Sequence, residues 1–171
     1  MSLATKIAEK QKALEEERSK LSPDDAVEIT ERAKLDELEK AIEAERNKQA
    51  QLALDRRLDA AREVLGPNAS IRGVMIEGYP DTFIVKRNQG AHSRWLDAVA
   101  KAAAAKESKE PANRSYAAAG IYDWNGRIGA DNDPQFQHDV TKFLQENAGI
   151  VTPITNDLAE LAGVFARERK S

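Results

Sequence analysis

The chain contains no cysteine. Disulfides and thiolate chemistry are therefore excluded, and the composition is compatible with a reducing cytoplasm. Histidine is nearly as scarce: His92 and His138 are the only two, they lie far apart, and neither sits in an HExxH or comparable ligand spacing, so no metal is expected. No apolar run approaches the roughly 18 residues needed to span a membrane, and Met1-Ser2-Leu3-Ala4-Thr5-Lys6 leads into charge rather than into a signal segment. An excess of either charge is also missing, with 26 Lys and Arg against 29 Asp and Glu, which is not the balance of a dedicated nucleic-acid binder. There is no Gly-rich phosphate cradle, no GxSxG and no Walker-type lysine. Asp131-Asn132-Asp133 opens like a calcium loop, but Phe136 and Lys142 stand where such a loop requires Gly and Glu. The carboxylates fall mostly in helical, solvated stretches, and no catalytic residue or cofactor site emerges from them.

What is present is helix, above all from Ser22 to Gly66. Ser22 suits an N-cap, Pro23 the first helical position, and Asp24 and Asp25 the positive end of the dipole. Gly66-Pro67 is the matching stop. Good helix formers fill the interval. If straight, Pro23 to Leu65 spans roughly 65 Å at about 1.5 Å per residue, too long to bury in a chain of this size. Leu35, Leu38 and Ile42 form one apolar stripe, interrupted at Glu45 and Gln49. Leu54, Leu58, Ala61 and Leu65 form a second in a shifted frame, so two contact faces are expected: the second toward the globular part, the first toward a partner or toward a preceding helix. That preceding helix is expected over Leu3 to Leu21, as a kinked continuation or a hairpin arm. Residues 1–66 thus read as an extended helical arm and possible coiled coil, and 67–171 as a small globular domain.

In the second part the period changes. Ser70 to Glu77 and Thr82 to Arg87 are rich in β-branched and aromatic residues around the turn cluster Gly78-Tyr79-Pro80-Asp81, which predicts a β-hairpin. Two strands alone are marginal, so this hairpin must pack on helices or pair with a strand of another chain. A helix is expected from Ser93 to Lys109, broken at Pro111-Ala112-Asn113, with a further helical stretch over Tyr116 to Ile121. Asn125-Gly126 between Ile121-Tyr122-Asp123-Trp124 and Arg127-Ile128 signals a second hairpin. Asp133-Pro134 and Thr152-Pro153 start two closing helices, with Phe136, Val140, Phe143 and Leu144 on one face and Ile154, Leu158, Leu161 and Phe165 on the other. The fold class is α+β, mostly α.

Two basic clusters bear on partners. Lys86-Arg87 with Arg94 and Trp95 is flanked by Asp81 and Asp97, and Arg56-Arg57 with Arg62 is interleaved with Asp55, Asp59 and Glu63. Opposite charges weaken a continuous positive track, so nucleic acid is not the expected partner.

The charged N-terminal helix, the hairpin ending Phe83-Ile84-Val85-Lys86-Arg87-Asn88, the helix bearing Trp95, Ile121-Tyr122-Asp123-Trp124 and Leu158-Ala159-Glu160-Leu161-Ala162-Gly163-Val164 together resemble small proteins of tailed bacteriophages, some of them tail assembly chaperones. The similarity covers Ser70 to Val164; the N-terminal rod is longer than a minimal chaperone needs. The resemblance implies a non-enzymatic morphogenesis factor that holds an aggregation-prone helical partner, such as the tape-measure protein, in the cytoplasm of the bacterial host. The residues nominated for that contact are Leu35, Leu38 and Ile42, with seating of the first helix as the alternative role. A structural virion subunit or scaffold forming a homo-oligomer through the arm is the second reading, and a nucleic-acid-binding adaptor the third.

Overall fold

A computed structural model describes residues 12, 13, 16, 20, 28–129 and 133–168, with the side chains of 28–33 and 164–168 left aside. The first-helix expectation, the Ser22-Pro23 start, Asp131 with Asn132 and the Phe165 side chain lie outside what is described. The fold is α+β and mostly α. It comprises α1 (Glu28–Leu65), β1 (Ile71–Met75), β2 (Thr82–Lys86), α2 (Gln89–Ala105), α3 (Glu110–Gly120), β3 (Ile121–Trp124), β4 (Arg127–Ile128), α4 (Pro134–Glu146), a 3-10 turn (Ala148–Ile150) and α5 (Val151–Glu168). The long helix is present as expected, and the chain divides into units 1–52 and 53–171, a boundary that falls inside α1.

In the second unit both predicted hairpins form, and they join. The strands make one antiparallel sheet in the order β1-β2-β3-β4. The pairing that two marginal strands require is thus supplied within the chain, by β3 against β2. Residues 87–120, most of them in α2 and α3, are inserted between these two hydrogen-bonded strands.

Alternation along the strands sorts side chains to two faces. On one face Ile71 and Ile84 pack with Leu54 and Ala61 of α1, joined by half-buried Leu58 and Leu65, so the second apolar stripe meets the sheet as its spacing predicted. Leu54 seats closely because Gly73 lies beneath it: a Cβ there would stand 3.1 Å from the Leu54 side chain. On the other face Val74, Phe83, Val85 and Ile121 pack against Tyr116, Phe136, Val140, Leu144, Ile154 and Leu158 from α3, α4 and α5. The sheet is therefore the middle of three layers, helix, sheet and helices.

Local signals explain the boundaries. Asn88 caps α2 by accepting the Ala91 N–H at 3.0 Å, so this helix begins at Gln89, earlier than the Ser93 expected. Pro111 belongs to the first turn of α3, where its missing N–H costs nothing. Read from sequence as a break, it is also a start, and α3 runs from Glu110 rather than from Tyr116. Asp133 caps α4 through the Phe136 N–H at 3.0 Å, as predicted. The last helix begins at Val151, one turn of 3-10 helix after Asn147, with Pro153 inside its first turn.

Candidate functional site

The nominated stripe lies in the first unit. Leu35 and Ile42 are buried within the chain, 7% and 6% exposed, and Leu38 is half-buried. After Ile42 the next large aliphatic side chain is Leu52, which is 50% exposed. The interval Glu43–Gln51 carries only alanine among apolar residues.

In the second unit the structure assembles a polar cluster that sequence reading missed. Register passes from Ile84 opposite Asp123 to Val85 opposite Ile121, leaving Tyr122 as the extra residue of a β-bulge. Strict alternation from Ile121 aims Asp123 at the helical core; the bulge turns it to the face of α1. There Arg57 donates to Asp123 Oδ1 and, through its other terminal nitrogen, to Thr82 Oγ1, both at 2.5 Å. The Asp123 side chain is 3% exposed, and the same oxygen accepts the Gly126 N–H at 3.0 Å. Asn125 and Gly126 both have positive φ, 52° and 90°, the conformation an Asn-Gly hairpin turn requires. The turn is tied down further: Asn125 Oδ1 accepts the Thr82 N–H at 2.8 Å, and Asp81 Oδ1 accepts Trp124 Nε1–H at 2.8 Å and Asn125 Nδ2–H at 2.5 Å.

This cluster dissolves the basic group read at Arg56, Arg57 and Arg62. Arg57 is committed to Asp123, Arg62 is bonded to Asp59 at 3.3 Å, and Arg56 is exposed. The signal was available only in part, since Asn125-Gly126 marks the turn while the bulge that turns Asp123 has no local signature.

A second cluster joins α2 to α3. Trp95 stacks on Tyr116 with ring centroids 4.8 Å apart and planes at 14°, and His92 lies 5.5 Å and 5.6 Å from the two rings. His92 Nδ1 is 2.8 Å from the Tyr116 hydroxyl, and Trp95 Nε1–H donates to Asn113 Oδ1 at 2.9 Å. Burial, and then the charge of Arg87, hold His92 below its ordinary pKa, while burial holds Tyr116 above its own. A neutral imidazole bonded to a protonated phenol fastens two helices together.

Among the described residues, no group of three or more His, Cys, Asp and Glu is arranged to hold a metal ion, and no helix is long and apolar enough to cross a membrane. Compared with protein-family models, with curated proteins and with solved structures, the chain matches none.

Proposed function

We propose that this protein is a non-enzymatic assembly factor that acts by holding another protein through its helical arm, in the manner of a tail assembly chaperone of tailed bacteriophages. A partner of the tape-measure kind, long and helical, suits the arm. The observation that carries this reading is the polar interval after Ile42, ended by a half-exposed Leu52. A helix polar on all sides gains little from burial and draws its stability from surface ion pairs or from a partner. The second unit, by contrast, fills its own core. Leu35, Leu38 and Ile42 remain the proposed contact, with Leu38 the accessible member and the two buried residues reached by exchange with their intramolecular contacts.

The test replaces all three by Ser. Both tryptophans, Trp95 and Trp124, lie in the second unit, so their fluorescence reports its folding independently of the arm. The expected outcome is an unchanged tryptophan signal with loss of self-association in light scattering and loss of capture of a long helical phage protein. An unchanged oligomer together with unchanged capture sinks the assignment. A stable oligomer whose size is independent of concentration, and which persists in finished particles, favours the structural-subunit reading instead.

A further inference from the structure

We propose that Asn125 is a site of spontaneous covalent modification: when the β3–β4 turn opens, its side-chain amide is lost as ammonia, and the acidic residue left behind keeps the turn from closing again. Asn125 is the only asparagine of the chain that is followed by glycine. With no Cβ on Gly126, the backbone nitrogen approaches the Asn125 side chain unhindered once the turn is open. In the reaction the Gly126 N–H gives its proton to a base in solvent and the nitrogen attacks Asn125 Cγ. The Cγ–Nδ2 bond breaks, Nδ2 leaves as ammonia, and a cyclic succinimide remains. Water then opens the ring at either carbonyl, giving aspartate by one cleavage and isoaspartate by the other. Solvent is the only co-reactant, and Asn125 and Gly126 are both exposed to it.

The closed turn holds back both reacting groups. The Gly126 N–H is donated to Asp123 Oδ1 at 3.0 Å, and a carboxylate beside it opposes the loss of its proton. Asn125 is held at both ends of its amide, Oδ1 accepting the Thr82 N–H at 2.8 Å and Nδ2–H donating to Asp81 Oδ1 at 2.5 Å. Its backbone N–H donates to the Thr82 carbonyl at 2.9 Å. The acceptors are themselves anchored, Asp123 by Arg57 and Asp81 by Trp124 Nε1–H. Attack deprotonates the Gly126 nitrogen and expels Nδ2, so the bonds to Asp123 and to Asp81 must both be given up. Modification therefore passes through a local opening of the turn, an event that leaves the buried core in place.

Neither product fits the closed turn. Aspartate tolerates the positive φ of this position about as asparagine does, so its cost is one of charge. An acidic oxygen takes the place of Nδ2, where a donor now meets Asp81 Oδ1 at 2.5 Å, and two carboxylates that close cannot both ionise. The cations of this corner are already engaged, Arg57 with Asp123 and Thr82 and Arg127 with Asp139. Isoaspartate reroutes the main chain through the side chain and adds a methylene to the loop. The pairing of Trp124 with Arg127 leaves only Asn125 and Gly126 to connect the strands, and such a loop fixes register by its length. A transient opening is thereby recorded as a permanent one.

The experiment keeps the full chain in mildly alkaline buffer, with and without denaturing urea, and follows the peptide bearing Asn125 by mass spectrometry. Conversion is expected to be at least about tenfold slower in the folded chain than in urea. Asp81→Ala and Asp123→Ala each remove one restraint and are expected to raise the folded rate about tenfold while leaving the rate in urea unchanged. Asp81→Ala keeps the Arg57–Asp123 bond, so it reads the turn even where Asp123→Ala unfolds the chain. Gly120→Ala, which strains the core away from the turn, is expected to leave the folded rate within about threefold. For the product, Asn125→Asp should lower the midpoint of urea unfolding. Adding Asp81→Asn should restore at least about half of that loss, because an amide at position 81 donates to the new carboxylate and still accepts from Trp124. The proposal is overturned by equal rates in the folded and denatured chain, by an Asp81→Ala rate equal to the parent's, by an acceleration in Gly120→Ala as large as in Asp81→Ala, or by an Asn125→Asp chain as stable as the parent.

Discussion

In residues 53–171 apolar side chains reach the sheet from both sides, and Phe83, Phe136, Leu144, Ile154 and Leu158 are wholly excluded from water. In residues 1–52 the described apolar content is a single stripe, of which Leu35 and Ile42 are buried and Leu38 is half-covered. Both regions are good helix by composition. What separates them is that a helical period supplies a face, and only a second and third layer turn that face into a core. The second unit is built to hold its own shape.

The largest break in this contrast comes from Phe136, 0% exposed. Phe136→Ala is expected to cost about 3–5 kcal/mol, and Leu35→Ala in the arm about 2 kcal/mol, the lower end for a buried leucine, since Leu35 at 7% keeps some exposure. Urea unfolding followed by tryptophan fluorescence reads the first, and helical circular dichroism the second. Equal costs would erase the distinction between the two regions.

Next in size is the tie between α1 and the sheet. Asp123→Ala leaves Arg57 without its buried partner and frees the Gly126 N–H, and a loss of about 3 kcal/mol is expected in the same unfolding assay. Replacing Arg57 together with Asp123 by apolar residues should recover much of it, because the penalty lies in the orphaned charge. If the single and double variants lose equally, the contact is structural packing and not electrostatics.

Packing density sharpens the comparison at Gly120. A Cβ there would stand 2.3 Å from Leu158 Cδ1, so Gly120→Ala is expected to destabilise by about 1–3 kcal/mol. Adding Leu158→Ala to that variant should give a total smaller than the sum of the two single effects, measured as a double-mutant cycle.

The smallest effect is a pH dependence at His92. Its pKa is lowered in the folded state from 6.5, so the unfolded chain binds more protons just below that value. Stability is then full above about pH 6.5, declines as pH falls toward the folded pKa, and is flat beneath it. Titration of the His92 ring by NMR should show a midpoint below 6.5, and His92→Gln should flatten the decline. A midpoint at or above 6.5 contradicts the buried, Arg87-facing environment.

The arm, both hairpins and the two closing helices were legible because each rests on local chemistry. Asp133-Pro134 caps and starts α4, Asn125-Gly126 turns the second hairpin, and Leu54 to Leu65 keeps a helical period. Pro111 was misread as only a break, because a proline that ends one helix and a proline that opens the next look alike without the neighbouring turn. The β2–β3 pairing, the bulge at Tyr122 and the meeting of Arg57 with Asp123 were not legible, since they join residues far apart in the chain.

By itself the sequence determined the helices, the strands, their turns and the apolar stripes of the helices, all consequences of steric preferences and periods within a few residues. Tertiary structure alone decided which hairpin pairs with which and where a charge finds its counter-charge, as Arg57 does at Asp123. The physical reason is that electrostatic and packing energies depend on distance in space, and the chain order of Asp81, Lys86 and Asp97 carries no information about that distance until the sheet and its inserted helices are in place.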